Sequence, residues 1–179
     1  MNAVVIGTNV LLVTNGSHPD VSAACRSECV TRLAARMKGG EVVIDDAYRI
    51  LREYQKKTQP NQPKGAGDVF LKWLLQNAAN PKRVHRVALT ENPPEEFQEF
   101  PDARLQRHFD ASDRKFAAVT HAHPDKPPIW QAADCKWLAW WPQLQACGVK
   151  VEFLCPLDVQ QVYAAKFPNR EAPGLPDGA

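Results

Sequence analysis

The side chains of this sequence best placed to do chemistry are carboxylates that follow apolar runs. Asp134 comes directly after PPIWQAA, Asp110 and Asp113 stand at the start of FDASDRKFAAVTHAH, and Glu53 lies two turns into the segment after EVVI. Each also has an ordinary role. Asp110 and Asp134 suit helix caps, and Glu53 suits an i,i+4 pair with Lys57. Acids converging from three segments repel one another unless a cation neutralises them. Hard oxygen ligands of this kind suit Mg²⁺ or Mn²⁺.

The elements that would position these acids are legible as short apolar runs separated by helical patterns. AVVI (3–6), EVVI (41–44), VHRVALT (84–90), PPIWQAA (127–133) and VKVEFLCP (149–156) read as strands. Residues 21–37, ended by Gly39-Gly40, and YRILREYQKK (48–57) read as helices, the second capped by Asp45 or Asp46. Further helices are expected over 68–79, from Ala111 or Ser112 through HAH, and over CKWLAWWPQLQACG. TQPNQPKGAG and ENPPEEFQEFPDARLQRH read as loops. Buried strands alternating with helices predict a three-layer α/β/α domain with a largely parallel central sheet. Ligands in such folds bind beyond the carboxyl ends of the strands, where these acids fall.

The chain has 179 residues, enough for one domain, here expected over 1–167, with 168–179 as a flexible tail lacking periodicity. Nothing approaches the roughly 20 apolar residues of a membrane span, and the first residues lack a basic signal-peptide region. The five cysteines, an odd number, include no Cys-x-x-Cys pair, which fits separate thiols in a reducing, cytoplasmic setting. Cys25 and Cys29 share a helical face, but a closed zinc site would need two more ligands. No P-loop and no Gly-x-Ser-x-Gly elbow is present.

Charge is uneven. Residues 56–86 carry seven Lys/Arg against Asp68 alone, and residues 87–113 carry seven acids against Arg104 and Arg107. The pattern fits a solvated dipolar surface or a polyanion-binding rim beside a cation pocket. Trp137 and Trp141, four apart, suggest a buried or interface face, including that of a homodimer. His121 and His123, two apart, do not converge on a metal.

The ordered set VVIGTNVLL, ILREY, FDASDRKFAAVTHAH and the Asp134 segment ending in GVKVEFL resembles the signature regions of PIN-domain nucleases, over roughly residues 3–155. The resemblance implies metal-dependent hydrolysis of single-stranded RNA, as in many toxins of toxin–antitoxin pairs. It assigns metal binding and catalysis to Glu53, Asp113 and Asp134, with Asp110 auxiliary, and substrate positioning to Thr8 and Asn9. Lys56, Lys57, Lys64, Lys82, Arg83 and Arg86 would form the phosphate rim. An antitoxin or another protein is the implied partner. One departure is serious: Gly7 stands where the family has its first acid. Natural divergence and deliberate inactivation both account for it. Either way, the expected enzyme is weak or dead, and the alternative is a non-catalytic module that binds RNA or protein.

Overall fold

The structure, a computed structural model, describes residues 3–178. Five strands form the central sheet: β1 (Ala3–Ile6), β2 (Glu41–Asp45), β3 (Val84–Val87), β4 (Ile129–Gln131) and β5 (Val151–Phe153). They lie in the order β3-β2-β1-β4-β5, and every neighbouring pair is parallel. The central strands β1 and β4 are buried along their whole length, as strands covered on both faces must be. The domain is a three-layer α/β/α sandwich, as the alternation of elements predicted.

The covering helices are α1 (Thr8–Thr14), α2 (Ala23–Gly39), α3 (Arg49–Lys57), α4 (Ala66–Asn77), α5 (Ala103–His108), α6 (Arg114–Ala122), α7 (Trp137–Ala146) and α8 (Pro156–Lys166), with a 3-10 turn over Ala111–Asp113 before α6. Helices α1, α2 and α4 pack on one another, while α6 lies against β1, β2 and β4. Three helices escape the sequence pattern. Helix α1 is too short to show a period and reads as a turn plus an apolar run. Helix α5, six residues long, sits inside what reads as a polar loop and begins where Asp102 Oδ1 accepts from Leu105 N at 2.7 Å. Helix α8 buries only Val159 and Tyr163, so its apolar stripe is thin.

Local chemistry explains the element ends. Ser22 caps α2 by accepting from Cys25 N at 3.1 Å, and Gly40 closes it. Asp45, fully buried, caps α3 as expected: Oδ1 accepts from Ile50 N at 2.9 Å and Oδ2 from Arg49 N at 3.0 Å. Its carboxylate also pairs with Arg49 Nη1, so it has no freedom to replace a missing acid elsewhere.

The tryptophans serve the core. Trp137 is fully buried and meets Phe109 edge to face, and Trp140 stacks on Phe109. Trp130 is buried, its Nε1 donating to Glu152 Oε2. Trp141 Nε1 donates to the Gly174 carbonyl, and Ala172 and Leu175 pack against the core, so the C-terminal segment is anchored there. The reading of five separate thiols is corrected: Cys25 and Cys155 are disulfide-bonded, with Cα atoms 5.2 Å apart. They are 130 residues apart in sequence, a pairing that spacing alone does not reveal. Cys29, Cys135 and Cys147 are free thiols. His123 Nε2 lies 3.0 Å from His85 Nδ1, so His121 and His123 do point to different neighbours.

Candidate functional site

The strand order reverses between β1 and β4, because the chain runs outward from β1 through β2 to β3 and then returns to β4 beside β1. Loops leaving such adjacent strands in opposite directions open a crevice beyond their carboxyl ends. The crevice is present, a cleft of about 460 Å³ lined by Thr8, Asn9, Glu53, Asp113, Gln131 and Asp134, among others. All three acids expected to be catalytic therefore reach one cleft. A second cleft of about 450 Å³ adjoins it through Glu53, Lys57 and Ser112, and brings Arg49, Arg52, Lys56 and Lys115.

Each side chain is held by its neighbours. Thr8, at the start of α1, donates from Oγ1 to Glu53 Oε1 at 3.0 Å. Asn9 Oδ1 accepts from Ala133 N at 2.7 Å and ties the two loops of the crevice together. The buried Tyr54 hydroxyl donates to the Ile6 carbonyl, which fixes α3 over the end of β1 and so aims Glu53. Asp134 follows β4 and accepts weakly from Lys136 N at 3.4 Å.

Burial and neighbouring carboxylates raise Asp113 and Asp134. The Asp113 carboxyl is pushed up to about 7, chiefly by burial and then by the Asp134 charge, with Lys136 opposing. Burial also raises Asp134, again against the pull of Lys136. This is the electrostatic pattern a divalent cation would relieve.

Two lysines relieve part of it instead. Lys115 of α6 pairs its ammonium with Glu53 Oε2 and also donates to the Ser112 carbonyl. Lys136 pairs with Asp110 and lies 3.7 Å from Asp113 Oδ2. Burial alone would lower the Lys136 ammonium, but its bond to Asp110 and the charges of Asp134 and Asp113 outweigh that and hold it raised. The sequence carries a signal for both lysines. Each stands two residues after a cleft acid, in Asp113-Arg114-Lys115 and Asp134-Cys135-Lys136.

The third compensation is at Gly7. Its backbone is ordinary extended chain, φ −64° and ψ 142°, open to any residue. A Cβ there would meet the Gln131 side chain at 2.4 Å from Oε1 and 2.6 Å from Cδ and Nε2. The neutral carboxamide of Gln131 thus fills the space into which a first acid would project.

These residues do not fit Mg²⁺ or Mn²⁺ as they stand. Among the described residues, Glu53, Asp113 and Asp134 do not all bring carboxylate oxygens within 4.8 Å of one another. Gly7 offers no ligand, the space beside it is filled by an amide, and ammonium groups sit on Glu53 and Asp110.

The expected phosphate rim is only partly assembled. Lys56 and Lys57, in the last turn of α3, line the clefts. Lys64 lies in the loop before α4, where its backbone N donates to Asp68. Lys82 stands before β3, at the opposite end of the sheet from the cleft. Arg83 directs its guanidinium to the carbonyls of Arg36, Met37 and Lys38 at the end of α2. Arg86 donates to the Tyr48 hydroxyl. The basic stretch is continuous in sequence but divided in space. Arg49 and Arg52, which precede it, take the places beside Lys56 and Lys57.

Fold and cleft together define a doubly wound α/β domain whose switch-point acids are balanced by its own lysines. No protein-family model, curated protein or solved structure matches the chain. No helix among the described residues is long and apolar enough to cross a membrane.

Proposed function

We propose that this chain is a PIN-like domain that binds single-stranded RNA along its strand-end clefts without hydrolysing it. The observation that carries the reading is that the residues expected to hold a metal are already met by other side chains: Lys115 on Glu53, Lys136 between Asp110 and Asp113, and Gln131 against Gly7. Internal ammonium groups lower the self-repulsion of the acids, so the cleft persists without a divalent ion. Arg52, Lys56 and Lys57 supply cations for phosphates along the adjoining cleft, where Arg49 is already paired with Asp45 and Glu91. Thr8 and Asn9 keep structural hydrogen bonds and hold the crevice open.

A second reading, a slow Mg²⁺- or Mn²⁺-dependent ribonuclease, is favoured by one observation: Asp113 still carries repulsion from Asp134 and Glu53 that a divalent cation would remove. Fluorescence anisotropy with a labelled single-stranded RNA separates the two. Binding is expected in EDTA, weakening steeply with salt because counterions are released from the strand. Arg52→Glu with Lys57→Glu should weaken it, and the RNA should remain intact in Mn²⁺. Cleavage in Mn²⁺ that Asp113→Asn abolishes would establish the enzyme instead. Failure to bind RNA under any condition would leave the protein-binding module, with an antitoxin-like or other protein partner, as the surviving alternative.

A further inference from the structure

Outside the cleft, three sulfur atoms converge in the interior. Cys25 and Cys29 lie one turn apart on α2, and Cys155 stands at the entry to α8. Their Sγ atoms all lie within 4.8 Å of one another, and all three residues are buried. Cys29 Sγ is 3.8 Å from Cys155 Sγ, although Cys155 is already bonded to Cys25. Among the described residues, no other group of His, Cys, Asp or Glu side chains gathers its ligand atoms so tightly.

The disulfide is not the only tie between the two segments. Ser22 N and Oγ both donate to Asp158, at 2.6 and 3.1 Å, and clamp the start of α2 to the first turn of α8. Ser22 Oγ also caps α2 through Cys25 N. Cys29 and Val159 are fully buried. None of these hydrogen bonds involves the Cys25–Cys155 bond, so reduction removes none of them directly.

We propose that Cys25, Cys29 and Cys155 form, in the reduced protein, a binding site for one soft monovalent cation, Cu⁺. Three converging sulfurs are soft ligands, and soft ligands select Cu⁺, Zn²⁺ or iron–sulfur clusters. Zinc in a closed site takes four ligands, and no fourth side chain of the usual kind joins this group. Cu⁺ is satisfied by three sulfurs in a plane. Glu28 and Asp158 place negative charge near Cys29, which attracts a cation. The positive end of α8 offsets charge left on Cys155.

The disulfide and the ion exclude each other. A dithiol reductant opens the site in a balanced step. It supplies two electrons and two protons, the Cys25–Cys155 bond becomes two thiols, and the dithiol closes to its own disulfide. Cu⁺ then displaces thiol protons to solvent. The site is distant in chemistry from the acidic cleft, and its test is independent of RNA binding.

The test titrates reduced, reductant-free protein under anaerobic conditions with Cu⁺ held by a chromophoric chelator. Transfer of one Cu⁺ per chain is expected, with sulfur coordination in the X-ray absorption spectrum. The unreduced disulfide form should take none. Cys29→Ser should weaken binding by at least roughly tenfold, since even outer-shell partners of a metal contribute 10–100-fold. Cys25→Ser, which cannot form the disulfide at all, should do the same, and Cys147→Ser, at a half-buried thiol outside the group, should not. Circular dichroism confirms that each variant is folded. No transfer to the reduced protein, equal affinity in Cys29→Ser, or stoichiometric Zn²⁺ in place of Cu⁺ would each overturn the proposal.

Discussion

Restoring an acid at position 7 is the perturbation that tests the cleft most directly, and the structure says why it fails alone. The Gly7 backbone accepts aspartate without strain, and no side chain now caps α1. Aspartate is a preferred cap, but relative to glycine that preference is worth only a few tenths of a kcal/mol. Against this stands the overlap with Gln131, whose side-chain atoms lie 2.4 to 2.6 Å from the new Cβ. Ordinary contact begins near 3.4 Å, so Gln131 must move by about an ångström within a site where it is only 2% exposed. The atoms that must give way are the far end of a flexible side chain lining the cleft, so the cost falls at the low end of the ~1–3 kcal/mol of overpacking, about 1 kcal/mol. For a domain of this size, each kcal/mol lowers Tm by about 2–4 °C. Gly7→Asp should therefore melt about 2–4 °C below the parent in EDTA. Gln131→Ala alone should lose its packing, by about 1 kcal/mol. The double variant should be more stable than the two single changes add up to, with a coupling energy of about 1 kcal/mol. Urea unfolding of the four proteins measures that coupling. The double variant should also gain stability on addition of Mn²⁺, which the parent should not. Gly7→Asp as stable as the parent, with coupling within about 0.5 kcal/mol of zero, would refute the claim that Gln131 fills the space a side chain at position 7 would take.

Other outcomes follow from the same geometry. Folded Asp113 keeps a proton that the unfolded chain releases between pH 3.8 and about 7, so its contribution to stability is lost as pH rises through that window. Asp113→Asn should remove this loss and raise the urea midpoint at pH 8 in EDTA, with little change at pH 4. Lys115→Met should destabilise by about 1–3 kcal/mol, because it leaves Glu53 partly buried without its cation; thermal melts check this. Lys136→Met, at a more exposed pair, should cost about 1 kcal/mol or less, and should shift the Asp113 titration upward in a carboxyl-resolved NMR titration. Arg83→Ala should lower stability by about 1–2 kcal/mol by freeing the carbonyls at the end of α2, while RNA affinity stays at the parental value.

Much of the architecture was legible because burial on both faces makes a strand read as a continuous apolar run. AVVI, EVVI and the IWQ of PPIWQAA carry that signature, and they are β1, β2 and β4. The helices that escaped, α1, α5 and α8, are short or have thin apolar stripes, so their periodicity is weak. The acids were legible for a related reason. In a parallel α/β fold, polar residues placed just after strands have one common end of the sheet to occupy, and Glu53, Asp113 and Asp134 meet there.

What the sequence determined by itself, then, was the layered fold, the end of the sheet that carries the cleft, and the absence of an acid at position 7. Only the tertiary structure decided what stands against Gly7 and against the acids. Gln131 is one more residue in an apolar strand until β4 is laid beside β1 and its carboxamide meets Gly7. Lys115 and Lys136 are ordinary charges until α6 and the β4 loop turn them onto Glu53 and Asp110. The basic stretch 56–86 is one block on paper, yet the fold sends Arg83 to the end of α2 and leaves Lys56 and Lys57 at the cleft. Cys25 and Cys155 become neighbours only when the fold brings the start of α2 to the turn before α8. The physical reason is common to all four. Local pattern reports which face of an element is buried, whereas the partners of a polar group depend on contacts between segments far apart in the chain, set by the order in which the strands associate.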